Sequence, residues 1–159
     1  MARVSPPGNT EVYWVVTITD YTAPTSTLLN TNVDLTSFCR GVPSIPETGN
    51  TADTSNLSSG FNSRQAASYG GDNITLEMYR DNLTDTAFDT LTRGLQGHLV
   101  VAWDGLATAG TFAIGDDVWV YECTVISRGA GVAGRDEVNF FVSEMAITNP
   151  PAEKFTLVA

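Results

Sequence analysis

Hydrophobic and polar residues alternate along much of this chain, and the alternation predicts strands. From 11 to 19, Val12, Trp14, Val16 and Ile18 alternate with Glu11, Tyr13, Val15, Thr17 and Thr19. That is the period-two pattern of a strand with one buried face. The second set is mixed, with Tyr13 and Val15 among threonines, which suits a face partly covered by another chain. A weaker strand follows from 33 to 38. Ile74, Leu76 and Met78 then alternate with Thr75, Glu77 and Tyr79, and residues 99–103 are almost wholly apolar, as in a buried strand. Over 118–126, Trp119, Tyr121, Cys123 and Val125 form one apolar face, and Val118, Val120, Glu122, Thr124 and Ile126 the other. Over 137–147, Val138, Phe140 and Val142 form a core set, leaving Glu137, Asn139, Phe141 and Ser143 opposite. Strands apolar on both faces need a covering neighbour.

Between the strands at 74 and 99 the period becomes helical. Ala87, Phe88, Leu91 and Leu95 fall on one stripe, so Phe88, Leu91 and Leu95 are the expected core face of a short helix. Thr84 or Asp85 can cap its start, and Gly94 or Gly97 can supply the left-handed residue that stops it. No other stretch carries a helical signal of this strength. Residues 1–10, with two prolines and a glycine, read as an N-terminal arm, and 152–159 as a C-terminal tail with an apolar run at 155–158. The least patterned part is 39–71, with Pro43, Pro46 and repeated glycines. Its apolar residues Val42, Ile45, Leu57, Phe61 and Tyr69 are too sparse for a core and too many for a linker. It reads as a long loop that docks on another surface, with room for a short strand near 63–68. Long loops without their own structure are usually functional or disordered.

Composition narrows the function. The 159 residues make one domain, all-β with one short helix. Eighteen acids against eight bases give a net charge of −10, which argues against holding nucleic acid through its phosphates. No stretch reaches the roughly 18 apolar residues of a membrane span. The amino terminus shows no signal-peptide pattern, so the expected compartment is the cytoplasm, with Cys39 and Cys123 unbonded. The single histidine, His98, at a strand start, reads as structural. Asp116–Asp117 and Asp136–Glu137 read as solvated turn ends. No nucleophile, phosphate cradle or metal-ligand spacing is found, so neither a catalytic residue nor a cofactor nor a metal is expected.

The runs ITLEMYRDNLTDTAFDTLTRGLQGHLVVAWDG, AIGDDVWVYECTV and DEVNFFVSEMAITNPPAE, with APTSTLLNTNVDLTSF upstream, resemble the major tail (tail tube) proteins of long-tailed siphophages, especially those of actinobacterial hosts. The resemblance lies in the succession of elements across roughly residues 13–153. It implies a β-sandwich or barrel flanked by the helix, with 39–71 as an inter-subunit loop. Such subunits form hexameric rings stacked into a tube, a virion tail assembled in the host cytoplasm. Implied partners are further copies of the chain, a tape measure protein inside, tail tip and terminator proteins at the ends, and double-stranded DNA in transit without specific binding. No membrane partner is implied. In a shared barrel, strand parity would turn Glu122, Glu137 and Asn139 to the lumen, where acids would repel DNA. A tail terminator or baseplate-hub relative fits much of the same pattern, and a β-sandwich binding module is the alternative from another class.

Overall fold

The computed structural model describes residues 9–54 and 64–158. Within them the chain forms β1 (Glu11–Val15), helix α1 (Ser26–Leu29), β2 (Val33–Asp34), β3 (Glu47–Asp53), β4 (Arg64–Gly71) and β5 (Ile74–Tyr79). Helix α2 (Thr86–Thr90), β6 (Gln96–Ala102), β7 (Asp117–Ala130), β8 (Phe140–Ile147) and β9 (Ala152–Thr156) follow. The main sheet runs β2-β1-β6-β7-β8-β5, and β9 joins it on β7. The ladders between these strands are antiparallel. β7 is long enough, at 14 residues, to pair with β9 near its start and with β8 beyond.

The sheet curls toward a barrel because residues 33–46 connect its two edges. Leu35 N–H donates to the Val12 carbonyl at 2.9 Å on one side. On the other, Arg40 N–H donates to Glu77 O, Tyr79 N–H to Phe38 O, and Ser44 and Thr75 exchange both backbone bonds. This segment therefore satisfies donors and acceptors that an open edge would expose.

Inside the curl lies one core of Val12, Trp14, Leu35, Leu76, Met78, Leu91, Leu99, Tyr121, Cys123, Phe141 and Met145, among others. Trp14 lies so close to β6 that a Cβ on Gly97 would meet its ring at 2.5 Å, so that position accepts only glycine without rearrangement.

A second core lies on the outer face of β1, β6 and β7. It contains Tyr13, Val15, Ile18, Leu29, Val100, Phe112, Val118, Val120 and Leu157. The neighbour that these two-sided strands require is thus supplied by the same chain. Helix α1, which the residue spacing did not announce, contributes Leu29 and is capped by Thr25, whose hydroxyl accepts from Leu28 N–H. Four residues are too few to show a helical period.

Several expectations change in the folded chain. β1 ends at Val15, so Val16 is 56% exposed and Ile18 joins the second core rather than the first. Helix α2 stops at Thr90, earlier than expected, with Ala87 and Leu91 buried and Phe88 and Leu95 half-buried against the first core. Asp85 precedes it, but its side chain makes no cap and instead meets Arg80. Gly94 is left-handed (φ 85°) but lies past the helix, in the turn into β6, and Gly97 is a strand residue. The C-terminal segment is ordered as β9, with Leu157 buried behind it.

β8 starts at Phe140, leaving Glu137, Val138 and Asn139 in the preceding loop, with Val138 62% exposed. Its parity is the reverse of the expected one. Phe141, Ser143 and Met145 point inward because they stand opposite Met78, Leu76 and Ile74 of β5, and directly paired residues share a face. Phe140 is buried on the other side, beneath the Arg40 guanidinium at 4.4 Å.

Candidate functional site

The stretch 39–71 divides into two parts. Residues 39–46 lie along β5, and Ile45 is half-buried against the first core. Val42 stays 41% exposed. Beyond Pro46 the chain forms the two-stranded antiparallel hairpin β3–β4, where a long loop with one short strand was expected. Every described residue of both strands is exposed, including Tyr69 at 68%. Leu57 and Phe61 lie outside the described residues. The hairpin is anchored at its base: Asp72 N–H donates to Pro46 O at 3.0 Å, and Thr48 Oγ1 to Asp72 at 2.9 Å. Next to the base, the hydrogen bond from Glu47 raises the Glu153 carboxyl above its ordinary value, with burial and the Glu47 charge adding to the shift.

The second core is closed by the 105–116 loop, which two acids and an amide fasten. Glu11 accepts from Leu106 N–H at 3.2 Å and Gly110 N–H at 3.1 Å, and also meets the Tyr13 hydroxyl. Asp116 is buried, not a solvated turn end, and accepts from Ala107 N–H at 3.1 Å and Ala113 N–H at 2.8 Å. Asn30 gives and takes one bond each with the Phe112 backbone, at 3.1 and 2.9 Å. These are structural tasks that account for side chains a sequence reading leaves unassigned.

The residues expected at the lumen lie apart along the sheet. Glu122 is half-exposed in mid-β7, accepts from Asn149 Nδ2 at 2.7 Å, and stands opposite His98. Glu137 sits in the turn before β8, where it accepts from Gly134 N–H at 2.9 Å and lies 3.6 Å from Arg40. Asn139 borders the same region, its carbonyl accepting from Arg80 N–H. β8 separates the two acids along its length, since Cys123, next to Glu122, pairs with Ile147, whereas Glu137 precedes Phe140.

His98 is 8% exposed, and burial lowers its pKa against the opposing pull of Glu122 and the Val15 backbone. Both cysteines are free thiols. Burial pushes each up to about 12, with Asp34 adding to the shift at Cys39, so neither is a ready nucleophile. Among the described residues no cluster of histidine, cysteine and acids could hold a metal ion, and no helix is long and apolar enough to cross a membrane.

What these features define is a β-barrel domain with its own closed cores and one limb projecting into solvent, the form of a structural module. A family model for phage tail tube proteins matches residues 1–159, and the chain belongs to that family. Among solved structures, the chain is similar to a component of the anti-feeding prophage baseplate, determined by cryo-EM with 6-fold symmetry. The TM-score is 0.61 at 14% identity, covering 94% of this chain and 95% of that one, a likeness of fold. No curated protein matches it in sequence. The chain is a structural tail protein of a phage-type particle.

Proposed function

We propose that this chain is the repeating subunit of a tail tube. In this reading it forms hexameric rings that stack into the conduit for the genome, without catalytic activity of its own. The observation that carries the reading is the β3–β4 hairpin. An isolated two-stranded hairpin is marginally stable in water, and this one has no described residue buried against its own domain. Contact with another copy would supply the missing surface. The six-fold symmetry of the baseplate that contains the structural neighbour supports a hexameric ring. The net charge of −10 fits a tube through which DNA slides without sticking, provided acids line the wall. The tape measure protein inside and tail tip and terminator proteins at the ends are the partners of such a tube.

Negative-stain microscopy and light scattering on purified protein test this. Stacked rings are expected, and deletion of residues 48–56 should leave soluble monomer that fails to polymerise. A wild-type protein that stays monomeric under all assembly conditions would reject the reading. A second reading, a tube-capping or baseplate relative, draws on the baseplate neighbour. It predicts single rings that never extend into tubes.

A further inference from the structure

Strand β5 joins two unlike ends of the molecule. The β3–β4 hairpin enters at Ile74, and at the other end Tyr79 leads directly to Arg80. With six residues, β5 sets the two about 20 Å apart. At the Arg80 end the phenyl ring of Phe88 is held between two guanidiniums. Arg80 Cζ lies 3.7 Å and Arg128 Cζ 3.8 Å from the ring centre, too close for both to share one face. Arg128 Nη1 also donates to the Phe88 carbonyl, and Phe141 meets the ring edge-on at 5.1 Å. Arg80 is neutralised by Asp85, but among the described residues no carboxylate lies within 4.0 Å of Arg128. Arg93 borders a hollow shared with Arg128.

Arg80 and Arg128 open on a cavity of about 460 Å³ whose lining also holds Asp81, Asn82, Phe88 and Phe140, among others. Residues adjacent to its lining are bare and apolar: Leu83 is 93% exposed, Val132 93% and Val138 62%. A protein with only eight basic residues and a net charge of −10 thus sets two of its arginines, against the one lining acid Asp81, beside exposed leucine and valine. Arginine on an aromatic support with an apolar rim is the composition of an interface centre. A guanidinium has five donors, and those that Arg128 does not use on Phe88 suit carboxylates.

We propose that this socket receives the β3–β4 hairpin of a second copy of this chain. The inference rests on the reading of the protein as a self-assembling subunit and names the receiving surface. Asp53 stands opposite Arg64 in the β3–β4 ladder, so the surplus acids of the hairpin and its exit are Glu47 and Asp72, with Tyr69 exposed for contact with the socket's arginines and rim. Because giver and receiver lie at opposite ends of one strand, the contact is between unlike surfaces. Such contacts propagate from copy to copy instead of closing as a pair.

The test uses the full chain in two ways. In the first, Leu83→Cys protein is mixed with Tyr69→Cys protein under assembly conditions and treated with a short bis-maleimide. Both positions are exposed, and both native thiols are raised and at least half-buried. A covalent dimer should form in the mixture and in neither variant alone. In the second, Arg80→Glu with Arg128→Glu should raise the concentration needed for stacking by about tenfold or more. Glu47→Lys with Asp72→Lys on the hairpin should restore part of the loss. Wild-type stacks that give no cross-link and tolerate both charge reversals would overturn the socket while leaving the subunit reading intact. Normal stacking combined with a changed retention of DNA would assign the arginines to phosphate and overturn it equally. A wild-type chain that never associates would remove both.

Discussion

Ser143 stands directly opposite Leu76 across the β5–β8 ladder, fully buried, with a hydroxyl that has no hydrogen-bond partner. The cross-strand pairing places it there, because Leu76 must face the core and its partner must follow. A buried polar group without a partner carries a desolvation cost. Ser143→Ala should therefore stabilise the protein by about 1 kcal/mol, within the usual range of about 1–3 for such a group. Urea unfolding measures it, and a loss of stability would mean that the hydroxyl is satisfied in solution.

The loop over the second core should matter as much as the first core itself. Phe112 is 2% exposed and lies edge-on to Tyr13, ring centres 4.8 Å apart. Phe112→Ala should cost about 3–5 kcal/mol. Asn30→Ala, which frees both Phe112 backbone groups, should cost less but raise amide exchange in residues 105–116. Unchanged exchange there would show that Asn30 is not what fastens the loop.

Leu91 lies just past α2, fully buried, its N–H bonded to Ala87 O at 3.1 Å. Leu91→Ala should cost about 2–5 kcal/mol as a large-to-small core change. A denaturation midpoint within error of wild type would place Leu91 outside the folding core.

The strands were legible in the sequence wherever one face is plainly buried, as at Ile74, Leu76 and Met78. Legibility failed where alternation could not say what covers a face. Tyr13 and Val15 look like a surface for another chain, yet Leu29, Phe112 and Leu157 reach them through folding of distant segments. In β8 the residue types favoured Phe140 and Val142 inside and Ser143 outside, and pairing with β5 reversed the choice. The hairpin was hidden because an exposed strand has no apolar face to alternate, and β3–β4 is made largely of Gly, Ala and Thr. The arginine cluster was equally hidden, since Arg80 and Arg128 meet Phe88 only in three dimensions.

His98 gives a pH dependence with a definite sign. It faces Glu122 on β7 and Val15 on β1, with the Tyr21 ring 6.2 Å away, and its Nδ1 has no partner. Its folded pKa is lowered from 6.5, chiefly by burial. The unfolded chain therefore binds the proton first as pH falls. This contribution to stability is complete above the unfolded value and declines between it and the lower folded value. His98→Gln should make the stability difference between about pH 7.5 and about pH 5 smaller than in wild type. Equal slopes in the two proteins would show that His98 does not titrate in folding.

Because Glu122 and Glu137 lie toward opposite ends of β8, their charges can be tested separately. If Glu122 faces the lumen of an assembled tube, Glu122→Lys should make tubes retain DNA, most strongly at low salt where screening is least. Glu137→Lys should disturb the Arg40 contact instead. Equal DNA retention by wild type and Glu122→Lys would place that acid on the exterior.

The second core has a mechanical meaning. Since each face of the β1–β6–β7 sheet is sealed by the same chain, a subunit need not come apart when its neighbours shift. In a stack of such subunits, curvature would be taken up at the hairpin, whose described strand residues are all exposed and which is bonded to the barrel at its base. A filament of this kind would flex as a string of stiff beads, and repeated bending would fatigue its joints before it unfolded any bead.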